Sequence, residues 1–243
     1  MQTKLLLSIG LPLLVICCFA AFSHQNNSPP VVTITAPAKN SKFQWNSVIP
    51  YAIHVSDPED GNSEYNEIPT KEVLLMVAYL PDSTRAKTFL EDRSKTNHEA
   101  LLWMITSACF TCHSAKDKLI GPSFEQIAKR YPDNSISVES LTKKIITGAT
   151  GTWGDLKMPP HPDLKIDQVR KIVRWILKNS SDRDQSYYVG IEGAFRTKEK
   201  PTGEPVKGVY ILTASYTDHG IKGAPTRPSD SKQGQHTIVL KNY

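Results

Sequence analysis

Cys109-Phe-Thr-Cys112-His113 lies within a stretch, about Asn97 to Ser180, whose apolar residues recur at helical spacing. Two thiols two residues apart, followed directly by an imidazole, form the attachment sequence of a c-type haem: each thiol adds to a vinyl group and the histidine binds the iron. The spacing lets both sulfurs reach one porphyrin edge and turns the next residue beneath the metal. A zinc half-site would need two further Cys or His ligands at similar spacing, and a thioredoxin-like dithiol requires neither His113 nor a helical surround. The residues therefore predict one covalent haem on a helical segment.

The iron needs a second axial ligand. Met158, in Lys157-Met-Pro-Pro160, stands on a proline-stiffened loop, whereas Met104 falls on the helix entering the motif and Met76 in a strand, where core packing accounts for both. His161 is the alternative. A thioether raises the reduction potential into a carrier's working range, which favours Met158.

Punctuation within the stretch is helical. Ser123 with Gln126 forms a capping-box pattern, Gly148 stops a helix running from Val138, and Asp167 precedes a run with Val169, Ile172, Val173 and Ile176 on one face. On either side the period changes to two. Before it come Val31–Thr35, then Ile49, Tyr51, Ile53 and Val55, then Val73–Leu80, which is apolar on both faces. After it come Tyr210, Leu212, Ala214 and Tyr216, then His236–Leu240. Asp57, Glu59 and Asp60, in the turn after the second strand, suit either calcium or an ordinary solvated turn, and the turn is the simpler account.

Composition bounds the rest. The chain has 243 residues, room for one large domain or two small ones, and with 39% hydrophobic and 22% charged residues it is globular. A net charge of +5 falls well short of the dense positive stripe of a nucleic-acid binder. Four cysteines, at 17, 18, 109 and 112, exclude a disulfide-dense scaffold. Residues 1–23 carry Lys4, an apolar run from Leu5 to Phe22 and small residues at Ala20, Ala21 and Ser23, which reads as a signal peptide or a membrane or lipid anchor. Cleavage after Ser23, acylation of Cys17 or Cys18, and an uncleaved anchor all remain open. Each puts the folded part, from near Pro29, in the periplasm or at the outer cell surface, with membrane contact only through the N-terminal segment.

From Ala100 to Lys178 the chain resembles the small bacterial class I cytochromes c. The likeness rests on Cys-Phe-Thr-Cys-His (109–113), Leu119-Ile-Gly-Pro-Ser-Phe124, Gly151-Thr-Trp-Gly154, Met158-Pro-Pro160 and the closing helix Val169–Leu177, all in the family's order. It implies that Pro122 offers its carbonyl to the Nδ1–H of His113, that Trp153 lies near a haem propionate, and that His113 and Met158 hold the iron. It also implies that the first and last helices cross, with Ala100 where the family often has Gly. More weakly, Pro29-Pro-Val-Val-Thr-Ile-Thr35 and Gly208–Asp218 resemble strands of an Ig-like or PKD-like sandwich. Such a sandwich uses ~7 strands, and neither flank supplies them alone. The expected fold is therefore mixed: an all-α class I cytochrome c domain, residues 96–180, inserted in a discontinuous Ig-like antiparallel β-sandwich, residues 29–90 plus 183–243.

A His/Met iron has no vacant position, so the resemblance implies electron transfer rather than an enzyme, as a carrier or as the electron-accepting subunit of an exported dehydrogenase. The partner would be a redox protein such as a quinoprotein dehydrogenase or a terminal oxidase. Residues 96–180 hold twelve Lys or Arg against eight Asp or Glu, and Lys116, Lys118, Lys129, Arg130, Lys143, Lys144 and Lys157 flank the cofactor. They would steer an acidic partner or simply solvate the surface. Two other readings stay open: the β-module as a glycan- or protein-docking domain that localises the haem, and a haem peroxidase.

Overall fold

The computed structural model describes residues 26–94, 99–202, 207–221 and 230–242, so the N-terminal segment discussed above lies outside the described residues. Four strands come first: β1 (Val31–Ala36), β2 (Val48–Asp57), the short β3 (Gly61–Asn62) and β4 (Leu74–Leu80). Six helices follow: α1 (Ala86–Ser94), α2 (Glu99–Thr106), α3 (Cys109–Cys112), α4 (Phe124–Arg130), α5 (Ser135–Thr147) and α6 (Ile166–Asn179). The chain closes with β5 (Gln185–Val189), β6 (Glu192–Arg196), β7 (Val209–Thr217) and β8 (Gln233–Lys241).

The strands form two antiparallel sheets, and each draws on both sides of the helical segment. In one, β2 lies between β1 and β3 and also pairs with β6, with Tyr51 opposite Gly193. In the other the order is β5-β4-β7-β8, so that Val77 of β4 stands between Ser186 and Leu212. A strand apolar on both faces needs hydrogen-bonded neighbours on both edges and cover on both sides, and β4 has them. Leu75, Val77 and Tyr79 point into the core shared by the two sheets, with Val32, Ile53, Val55, Leu212 and Leu240. Leu74 and Met76 point the other way, into a second cluster with Leu101 and Ile105 of α2 and Tyr187 of β5.

The helical punctuation reads as the sequence suggests, with two adjustments. The Ser123 hydroxyl accepts the Gln126 N–H at 3.1 Å while the Gln126 carboxamide accepts the Ser123 N–H at 2.9 Å. Helix α5 does stop at Gly148, but it starts at Ser135 rather than Val138, because the Asn134 side chain caps it by accepting the Ser137 N–H at 2.9 Å. The exposed Ile136 hides that start from any periodicity argument. Asp167 lies inside the first turn of α6, near the positive end of the helix dipole, and the cap is made by the Gln168 carboxamide on the Lys165 N–H at 2.9 Å. The α6 residues Val169, Ile172, Val173 and Ile176 are buried, and Ala100 of α2 packs against Ile172 and Ile176, a small side chain where two helices approach closely. Among the described residues no helix is long and apolar enough to cross a membrane.

The acidic turn after β2 is held by hydrogen bonds of its own, although Asp57 Oδ2 and Glu59 Oε2 are buried without a partner among the described residues. Asp57 accepts the N–H groups of Glu59 (2.9 Å) and Asp60 (2.7 Å). Asp60, 7% exposed, accepts the Tyr216 hydroxyl at 2.7 Å, the His219 backbone N–H at 3.0 Å and the His219 ring at 2.9 Å, while Glu72 lies 2.9 Å from the other ring nitrogen. Among the described residues no group of His, Cys, Asp and Glu is arranged to hold a metal. The turn therefore ties β2, β4 and β7 together at one end of the sheets. Burial pushes the Asp60 carboxyl up, but the bonds from Tyr216 and His219 together hold it below its ordinary value. A carboxylate depressed on folding contributes stability above its unfolded pKa, near 3.9, and that contribution is lost as pH falls through the folded value. Denaturant unfolding of Asp60→Asn should show a clear loss of stability at pH 7 and a shrinking difference from the parent below about pH 4; a difference constant across that range would show that the charge on Asp60 is immaterial.

Candidate functional site

The haem-motif turn is made by a break in the backbone. Helix α2 ends at Thr106, and Ala108 adopts the left-handed conformation at φ 55°, which an L-residue takes only under constraint. Helix α3 restarts at once on Cys109, and His113 leaves it extended at φ −123°. Two backbone bonds bring the next segment back over the ring: Gly121 N–H to Cys112 O at 2.9 Å and Phe124 N–H to Ser114 O at 3.0 Å. A Cβ at Gly121 would lie 2.5 Å from His113 Cε1, so only glycine leaves the imidazole where it is.

His113 Nδ1 lies 2.6 Å from Pro122 O. A carbonyl can only accept, so the proton is on Nδ1 and the lone pair is on Nε2. Burial, with His161 adding repulsion, holds the imidazole below its ordinary pKa against the opposing Pro122 bond, so the ring is neutral at pH 7. Phe124 stacks on it, with centroids 5.5 Å apart and planes at 25°. Burial pushes the Cys109 thiol up to about 11, so it is an S–H at neutral pH.

The opposite wall is a closed loop. Ala149 and Met158 exchange backbone hydrogen bonds of 3.2 and 2.8 Å, and Gly151 N–H to Gly154 O at 3.1 Å tightens the span between them. Gly148, at φ 79°, meets this bridge directly: a Cβ there would lie 2.9 Å from Met158 O. Two cations hold the loop tip, Arg130 bonding Thr152 O at 3.1 Å with its guanidinium 4.7 Å over the Trp153 ring, and Lys144 bonding both Tyr131 Oη and Thr152 Oγ1 at 3.3 Å.

Cys109, Cys112, His113, Pro122, Trp153 and Met158 all line one apolar cleft, with about 1210 Å³ of empty space counted out to its open mouth. His161 does not line it; its N–H bonds Ile145 O at 3.0 Å. Met104 is fully buried in the helical core, and Met76 is 2% exposed in the cluster beneath β4. Of the cations proposed for docking, Lys116 bonds Arg183 O and Lys129 pairs with Glu125, while Lys118, Lys143 and Lys157 are exposed, Lys157 at the cleft. Sequence reasoning missed the roles of Gly121, of Phe124 and of the Arg130–Lys144 pair at Thr152. Gly121-Pro122 looks like a plain turn dipeptide, and nothing local to Phe124 or Arg130 announces a neighbour many residues away.

A model of the family described as cytochrome c matches residues 103–180. Cytochrome c-551 of Pseudomonas denitrificans is 36% identical over 70 residues, 29% of this chain and 84% of the relative. Cytochrome c-551 of Azotobacter vinelandii is 33% identical over 72 residues, covering 30% and 87%. The crystal structure of Nitrosomonas europaea cytochrome c552 aligns with 31% of this chain and 93% of its own at 31% identity, with a TM-score of 0.30.

The close approach at Gly121 gives a direct test. Gly121→Ala must push the His113 ring off the Pro122 carbonyl or open the turn, and overpacking of this kind typically costs ~1–3 kcal/mol. Denaturant unfolding should show that loss; a parental midpoint would mean that the ring has room to move.

Proposed function

Since the chain belongs to the cytochrome c family through residues 103–180, carries one covalently bound haem c and transfers electrons with it, we propose that Cys109 and Cys112 hold the haem by thioether bonds and that His113 and Met158 are its axial ligands. The observation that supports this most is the convergence of two thiols, a neutral imidazole with a free Nε2 and a loop-pinned thioether on one apolar cleft. That donor set fits haem c, which when bound supplies a one-electron iron couple. The chain's own residues do the rest. Pro122 fixes the His113 tautomer and orientation, the Ala149–Met158 bridge holds the thioether, and the apolar lining excludes water. Trp153, Arg130 and Lys144 form a cationic, hydrogen-bonding rim suited to the haem carboxylates.

With His113 and Met158 both holding the iron, the protein would act by outer contact. Leu156 (71% exposed), Ile120 (57%) and Lys157 at the cleft mouth form an apolar patch with a positive edge, suited to an acidic redox partner. The same reading makes the chain an exported protein and a carrier, or the electron-accepting subunit of a dehydrogenase. It also takes the sheets as one discontinuous Ig-like sandwich, residues 29–90 plus 183–243, around the haem domain, 96–180; pairing of β4 with β5 and β7, and of β2 with β6, supports this.

Acid-acetone should leave the haem attached to the parent, and Cys109→Ser with Cys112→Ser should abolish attachment. Met158→Ala should remove the far-red sulfur-to-iron band of the ferric protein, open the iron to small ligands, and lower the potential by a sizeable part of the ~0.8 V that axial ligands span. Survival of the band would remove Met158 from the ligand set. Lys157→Glu should slow reduction by an acidic partner at low salt and converge on the parent at high salt, which stopped-flow measurement reads directly. Ending the chain at Ser180 should make residues 29–90 protease-sensitive while the haem spectrum persists; a protected N-terminal body would refute the discontinuous sandwich.

A further inference from the structure

The side of the haem-binding turn that faces away from the cleft is covered by β4, β5 and helix α2. Phe110, between the two cysteines, and Ala115, just past His113, pack against the cluster of Leu74, Met76, Leu101, Ile105 and Tyr187. Tyr187 of β5 meets Trp175 of α6 edge-on with centroids 5.1 Å apart. Phe110 also meets Phe124 edge-on at 5.3 Å, and Phe124 is the ring stacked on His113. Beside this contact lies a small cavity walled by Phe110 and Thr111 on one side and by Lys71 and Gly190 on the other. Close-packed interiors transmit displacement rather than absorb it. The order of contacts therefore runs from β4 and β5 to Phe110, then to Phe124, then to the imidazole.

We propose that the sheet formed by β5, β4, β7 and β8 is a positioning element of the haem centre: Leu74, Met76 and Tyr187 fix Phe110, and through Phe124 the plane of the His113 ring, so that strands outside residues 103–180 help to set the reduction potential. The proposal rests on reading His113 as an axial ligand. Ligand orientation and the water-excluding shell around a metal are both levers on its potential. A gap opened behind Phe110 would let the imidazole turn and water approach, and water favours the more highly charged ferric state. Loosening the sheet side should therefore lower the potential without touching any residue of the cleft.

The test uses full-length holoprotein and two readouts, the electrochemical midpoint and the hyperfine-shifted haem-methyl proton resonances of the ferric form, which respond to the orientation of both iron ligands, the His113 imidazole included. Met76→Ala should lower the midpoint and rearrange the methyl resonances, and the volume-conserving Met76→Leu should restore both. If Met76→Ala merely unfolds at lower denaturant while keeping the parental midpoint and methyl pattern, Met76 is ordinary core and the proposal is overturned. Should Met76→Ala fail to accumulate with haem, the milder Leu74→Val carries the same expected and overturning results. His113→Ala separates the premise from the proposal: loss of the low-spin spectrum upholds the ligand, and its persistence removes the ligand and with it the proposed positioning.

Discussion

A seven-residue strand with no solvent-facing side imposes more on this molecule than any other element. Leu74–Leu80 is buried at every position but the last, so it must be flanked on both edges and roofed on both faces. The flanking strands come from the far end of the chain, β5 and β7. One roof is the second sheet. The other is the helical body, through Leu101 and Ile105 of α2. At roughly 25 cal/mol per Å² of apolar surface removed from water, exposing either face would be costly, and so the relation of sheets to helices follows from one strand.

The cleft shows how a small helical body makes a binding site from local constraints. Each wall is fixed by contacts near in sequence: the Ala108 break, the Gly121 return and the Pro122 carbonyl on one side, the Gly148 stop and the Ala149–Met158 bridge on the other. Arg130 and Lys144 bond the loop tip at Thr152. Cations that look alike in a charge count thus divide by what they touch, two holding the loop, Lys116 tying the helical body to the segment before β5, and Lys157 exposed at the cleft mouth.

What could be read from sequence and what could not divide along the same line. Periodicity reveals elements whose burial is regular, such as α6, β2 and β7, and a local motif reveals groups whose chemistry is tied to spacing, such as Cys109, Cys112 and His113. The place of Met158 on the cleft could be anticipated because prolines stiffen its loop. Strands β5 and β6 were not, since Gln185, Gly193 and Arg196 break the alternation and the strands are held by pairing with β4 and β2. Helix α1 is too polar to show an apolar stripe. The part played by Phe110 was invisible for another reason: as a spacer between two cysteines it has no pattern of its own, and the cluster it enters is assembled from residues on both sides of the haem segment.

The pairing of β4 with β7 joins Leu74 to Ser215 and Leu80 to Val209, an order of contact that sets when the parts of the molecule are able to form. Helical contacts are short in sequence and close quickly, whereas this sheet has high contact order and waits for nearly the whole chain. During synthesis from the N-terminus, Leu-Leu-Met-Val-Ala-Tyr-Leu at 74–80 is therefore present, uncharged and unpaired, well before its partners exist. Such a segment is a template for wrong pairing between chains. In the folded protein neither face of that strand is left open, the second sheet covering one and Leu101 and Ile105 of α2 the other.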